Sequence, residues 1–107
     1  MAEWLGEFEQ AVLFAVAQTD DAYGATIRDE IERRTGRQVS AGAIYTTLGR
    51  LEDRGLLTSW WGEPTSERGG KRKRHFKLKP AGREALSRSW EAMRAMARGF
   101  DAKVAKP

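Results

Sequence analysis

Apolar residues recur at helical spacing along most of the chain. In LGEFEQAVLFAVAQ (5–18), Leu5, Phe8, Val12, Ala15 and Val16 fall three and four apart, with Leu13 and Phe14 widening the stripe. That spacing predicts a first helix. Thr19, Asp20 and Asp21 stop it, and one of the aspartates is expected to cap the next helix. The second helix is predicted over about 22–34, with Tyr23, Ile27 and Ile31 on one face and Arg28, Asp29, Glu32 and Arg33 toward water. Gly36 stands where a left-handed residue would close it. A third helix is predicted over about 40–54, with Ser40 as its N-cap and Gly55 ending it. Its core stripe is Ala41, Ile44, Leu48 and Leu51, with Thr47 turned toward the second helix.

The period then drops toward two. Leu56 to Trp61 and Arg74 to Leu78 read as short strands, and Phe76 and Leu78 alternate with Lys77 and Lys79. Of the neighbours Trp60 and Trp61, one is expected on the core and the other partly exposed. GEPTSERGGKRK between the strands is rich in turn formers, so the pair is expected to be a hairpin with a long tip. Pro80 suits the first turn of a last helix, about 80–99, whose apolar positions run from Ala81 and Ala85 to Met96 and Phe100. The final DAKVAKP is expected to fray.

Helix, helix, helix, strand, tip, strand, helix is the order of a winged helix-turn-helix. The expected class is α+β, mostly α, with an added C-terminal helix. Residues 1–79 would form the DNA-binding domain and 80–107 the dimerisation helix and its tail. In such a domain the third helix enters the major groove, and the hairpin tip, or wing, reaches the backbone or minor groove beside it.

Charge sharpens this picture. Nineteen Lys and Arg against fifteen Asp and Glu give a net +4. Residues 68–83 hold eight of the bases and no acid, leaving a net −4 on the other ninety-one. A mildly acidic body with one dense basic segment is the footprint of a polyanion partner. The chain has no cysteine, so disulfides, thiolate metal sites and cysteine nucleophiles are excluded. The one histidine, His75, lies in the basic strand with no legible triad or metal set around it, and no phosphate-binding glycine motif is present. Neither an enzyme nor a cofactor or metal is expected. The acidic N-terminus MAEWLGEFEQ lacks the basic region of a signal peptide, and no apolar run is long enough to span a membrane, so the expected location is the cytoplasm.

The ordered set of motifs resembles the PadR family of bacterial transcriptional regulators. The stretches LGEFEQAVLFAV (5–16), AYGATIRDEIERRTGRQVSAGAIYTTLGRLEDRGLL (22–57), GEPTSERGGKRKRHFKL (62–78) and PAGREAL (80–86) carry the likeness over about four-fifths of the chain. Its most specific part is S-x-G-x-x-Y-x-x-L-x-R-L-E-x-x-G, from Ser40 to Gly55. His75-Phe76 departs from it, standing where an aromatic pair is commoner. The resemblance implies a homodimeric winged-helix repressor of a palindromic operator, released in some members by a small aromatic molecule. It looks like the subgroup with one dimerisation helix.

With Ile44, Leu48 and Leu51 inward, Ser40, Gly42, Tyr45, Thr46, Gly49 and Arg50 lie on or near the opposite side. Gly42 and Gly49 would allow close approach to a duplex, and Tyr45, Thr46 and Arg50 would contact phosphates or bases. The alternative for Tyr45 is packing under the wing. The wing, about 62–74, offers Arg68, Lys71 and Lys73 as the expected phosphate contacts, beside Arg72 and Arg74. Trp90, Met93, Met96 and Phe100 would leave an apolar patch on a monomer. They are expected to pair with Leu5, Phe8 and Val12 of a second copy. Trp4 is expected in dimer or terminal packing. Trp90, with Phe8 and Met93, is also a candidate for holding a flat aromatic effector, against its reading as interface core. Competing functions are a winged-helix module for RNA or protein, and a small-molecule sensor without local DNA regulation.

Overall fold

The computed structural model describes residues 4–64 and 71–100. Its elements follow the expected order: α1 (Glu7–Gln18), α2 (Gly24–Thr35), α3 (Ala41–Asp53), β1 (Leu57–Trp61), β2 (Arg74–Leu78) and α4 (Pro80–Ala97).

Local chemistry sets the helix ends. The Glu9 carboxylate turns back to accept the Gly6 N–H at 2.8 Å, securing the start of α1. The expected aspartate cap on α2 does not form. Thr26 does that work: its hydroxyl oxygen accepts the Tyr23 N–H at 3.0 Å and donates to the Asp21 carbonyl at 2.6 Å. The Asp21 carboxylate is committed elsewhere, 3.0 Å from His75 Nδ1. Gly36 closes α2 with φ +76°, a backbone that costs glycine nothing. Ser40 caps α3 as expected, its Oγ accepting the Ala43 N–H at 3.0 Å. The turn from α2 to α3 is tied by Glu32, which accepts the Val39 N–H at 3.1 Å and pairs with Arg28 at 3.3 Å. The Val39 donor, helped by Arg28, holds the Glu32 carboxyl below its ordinary pKa.

The core lies where α1, α2 and α3 meet the hairpin. Leu13, Ile27, Ile44, Leu48, Leu51, Leu57 and Val12 are its fully enclosed side chains. Each such residue stabilises the fold by roughly 1.5–3 kcal/mol through the water it sheds. Thr47 completes the inner face of α3, whereas Ala41, expected in the stripe, is exposed in the first turn. Leu5 and Val12, expected to meet a second copy, are 5% and 0% exposed and belong to this chain's own core. The period that places Val12 on the stripe of α1 does not say which partner covers that stripe, and α2, α3 and α4 all lie against it.

The hairpin is antiparallel, with Leu57 opposite Leu78, Ser59 opposite Phe76 and Trp61 opposite Arg74. Its far edge gains a third contact that the hydropathy pattern does not carry. Tyr23 bridges to His75, and the Phe76 N–H donates to the Ala22 carbonyl at 2.9 Å. Neither tryptophan reaches the core, contrary to expectation. Trp60 lies on the outer face, stacked on His75 with centroids 5.7 Å apart. Trp61 is on the inner face but beyond the core's edge, with the Arg74 guanidinium 5.4 Å from its ring centre. Trp4 is exposed as well.

The first half of α4 packs down through Gly82, Ala85, Leu86 and Ser89, the last accepting the Leu5 N–H at 3.2 Å. Past Ser89 no described residue of α4 is buried. Gly82 is where α4 crosses the chain after α3: a Cβ there would sit 2.1 Å from the Leu56 carbonyl oxygen. Backbone cannot retreat as a side chain can. Gly82→Ala is therefore expected to destabilise the protein by about 2–3 kcal/mol, or roughly 10–20 °C in Tm. Thermal unfolding followed by circular dichroism measures it, and an unchanged Tm would show that α4 does not need this close approach.

Candidate nucleic-acid interface

Burying Ile44, Thr47, Leu48 and Leu51 leaves one answer for the rest of α3. At about 100° per residue, the opposite side carries Gly42, Thr46 and Gly49, flanked by Tyr45 and Arg50, and all five are exposed. A Cβ at Gly42 or Gly49 would meet nothing within 4 Å. The chain's own packing thus gives no reason for glycine at either place, although a glycine inside an exposed helix costs about 1 kcal/mol against alanine. Among the described residues Arg50 has no ion-pair partner. Ser40 borders this face with its Oγ already engaged as the cap.

Tyr45 is 54% exposed, so it does not pack beneath the hairpin. Its ring instead lies across the start of α2. A Cβ on Gly24 would come within 2.3 Å of the Tyr45 Oη and 2.5 Å of Cζ. Gly24 thus makes room for Tyr45 and leaves its other edge facing solvent.

The basic segment divides. Lys71 is exposed and, among the described residues, unpaired. The Arg72 Nε donates to the Gly62 carbonyl at 2.9 Å. Lys73 lies 4.5 Å from the centre of the Tyr23 ring and donates to its Oη at 3.4 Å, which brings it beside the N-terminal end of α2. Arg74 turns inward to Glu52. Arg68, the third expected phosphate contact, lies outside the described residues, as do Gly69 and Gly70. Tyr23, Gly24 and Glu52 position these groups; of the three, the hydropathy pattern singled out Tyr23 alone, on the apolar face of the second helix. Gly24 and Glu52 were visible only as parts of the stretches that carry the family resemblance.

At the other end, Trp90, Met93, Met96 and Phe100 are 45%, 55%, 79% and 57% exposed. Between α1, α2 and α4 lies a cavity of about 410 Å³ whose apolar lining includes Phe14, Ile31, Trp90 and Met93. Phe14, not Phe8, meets the Trp90 ring, edge to face at 5.9 Å. Phe8 lies apart from that cavity and carries Arg37 over its face. Among the described residues no cluster of His, Asp and Glu could hold a metal, and no helix is long and apolar enough to cross a membrane.

Residues 12–88 match the family model of the transcriptional regulator PadR-like family. A transcriptional regulator of Mycobacterium tuberculosis, Rv3488, is 37% identical over 84 residues, covering 77% of this chain and 72% of that protein. A PadR-like transcriptional regulator from Bacillus cereus superposes with a TM-score of 0.72 at 19% identity, covering 94% of this chain and 92% of the other. The structure of Bacillus subtilis PadR in complex with operator DNA superposes with a TM-score of 0.63 at 20% identity, over 75% of this chain and 44% of that one. The structural likenesses establish the fold. Match length and sequence identity establish more: this chain belongs to the PadR-like family and is a DNA-binding transcriptional regulator, not an enzyme.

Proposed function

We propose that the protein is a homodimeric repressor that binds a palindromic operator, with α3 in the major groove and the wing on the adjoining backbone. The observation that carries this reading is the outer face of α3. Two glycines there have open space around them, between a tyrosine, a threonine and an arginine able to donate to phosphates and base edges. Arg50 and Tyr45 flank the stripe, and Lys71 and Lys73 extend the positive surface from the hairpin. That a protein of this fold, Bacillus subtilis PadR, was solved in complex with operator DNA supports operator DNA as the partner.

The dimer reading rests on the outer half of α4, where Trp90, Met93 and Met96 stand exposed, and on Phe100 just past its end. A second copy of the same helix would cover them, and a two-fold pair of α3 helices would then present about 34–36 Å apart, one turn of duplex. Residues 80–107 are the dimerisation segment in this account, built on a domain of residues 1–79. The cavity beside Trp90 and Met93 is the place for a flat aromatic effector that releases DNA.

Fluorescence anisotropy against duplex DNA from upstream of the protein's own gene tests the function. A preference over scrambled duplex that survives added salt is expected, with log Kd changing by about 0.9 per log unit of salt for each neutralised phosphate. Equal binding to both duplexes, erased by salt, would contradict site-specific regulation. Adding a flat aromatic ligand should lower the anisotropy and quench tryptophan emission together; emission and anisotropy both unmoved would remove the effector. Gly49→Ala separates folding from binding. It should stabilise the free protein by up to about 1 kcal/mol and yet weaken operator binding several-fold. A variant that binds as well as the parent would show that no surface approaches Gly49 closely. Trp90→Ala should weaken the dimer about 30-fold, the scale of an interface tryptophan, read by sedimentation across a concentration series. An undiminished dimer would place the seam elsewhere.

A further inference from the structure

Arg74 closes the run Lys71-Arg72-Lys73-Arg74, and charge alone would assign it to phosphate along with its neighbours. Its geometry differs from theirs. Arg74 Nη2 donates to Glu52 Oε1 at 3.2 Å and Arg74 Nε donates to Ser59 Oγ at 2.9 Å. Ser59 in turn donates to Glu52 Oε2 at 2.6 Å. The three side chains form a closed ring of hydrogen bonds joining the last turn of α3, the first strand and the second strand. Both carboxylate oxygens of Glu52 are used, and the guanidinium also faces the Trp61 ring. An arginine held this way has the Nε–Nη2 edge of its guanidinium occupied.

The hairpin needs such a fastening. A two-stranded ribbon is marginal without packing, and here apolar burial ends at Leu57 and Phe76. From there to the tip both tryptophans are exposed. Beyond that point the described side-chain ties from the ribbon to the body are polar or aromatic-edge contacts: the Glu52 ring on one face, His75 on Asp21 and edge-on to Tyr23, and Lys73 on Tyr23. The Glu52 ring is the one that reaches the DNA-facing helix itself.

We infer that Arg74 and Glu52 are positioning residues, whose pairing fixes the wing relative to α3 so that both meet one duplex. The inference rests on the DNA-binding reading above and adds a role for an acid that charge arguments would count against binding.

That sign makes it testable. Glu52→Gln removes a negative charge near a polyanion, so electrostatics alone would raise affinity. Positioning requires the reverse. Glu52→Gln should bind operator about ten-fold more weakly at moderate salt. The salt slope should fall by about 2 to 4 per dimer, as Lys71 and Lys73 of each wing lose their phosphates. Arg74→Lys keeps the charge but not the fork, and should show the same two losses. A partly exposed ion pair contributes about 0–1 kcal/mol to folding, so both variants should melt within several degrees of the parent. Glu52→Gln binding as tightly as the parent or tighter, or Arg74→Lys keeping the full slope, would overturn the inference while leaving the DNA-binding reading intact. A parent protein with no preference for any duplex would overturn both.

Discussion

The inward packing of one face of α3 is the constraint from which the rest of the proposed binding surface follows. Ile44, Leu48 and Leu51 are enclosed among Leu13, Ile27 and Leu57, and a helix packed on one side only presents its opposite stripe to solvent. Gly42, Tyr45, Thr46, Gly49 and Arg50 are therefore held outward by hydrophobic burial elsewhere in the molecule. A side chain on that face is positioned by the core, at no cost to its own freedom to meet a ligand. Tyr45 is the partial exception, because it rests on Gly24 and so takes its direction from the start of α2.

The same logic gives α4 its two characters. Its first half is stitched to the domain by Gly82 against the Leu56 backbone and by Ser89 on the Leu5 N–H. Its second half carries Trp90, Met93 and Met96 into solvent. A rigid helix continuous across the two halves would carry any rearrangement at the exposed patch back to the domain that holds α3. The cavity between α1, α2 and α4 lies at that junction. In the proposed dimer, occupancy there would bear on the spacing of the two DNA-binding domains more than on the chemistry of either.

Much of the fold was legible because it is written in local periodicity. The helical stripes, the Ser40 cap, the left-handed glycines after α2 and α3, and the strand alternation at Phe76 each depend on residues within one or two turns. What was not legible depends on partners far apart in the chain. Leu5 and Val12 have the spacing of a surface stripe, and only the position of α4 and the other helices makes them core. Trp60 and Trp61 alternate as strand residues should, but the ribbon has already left the core when it reaches them. Asp21 sits where a cap is expected and instead faces His75, fifty-four residues on. Arg74 is indistinguishable from Lys71 and Lys73 by charge, and Glu52 separates them. The outward face of α3 could be read from the sequence, and so could the setting apart of Arg74 from Lys71 and Lys73, but not the carboxylate that Arg74 meets.

Hydroxyl-radical footprinting of the protein on its upstream duplex tests the central claim most directly, because it reads the arrangement of contacts and not their strength. The account calls for two protected patches on one face of the duplex, related by a two-fold axis and centred about 10 base pairs apart, each flanked by backbone protection from a wing. A single patch, or protection spread evenly along the duplex, would contradict a paired set of α3 helices presented by a dimer.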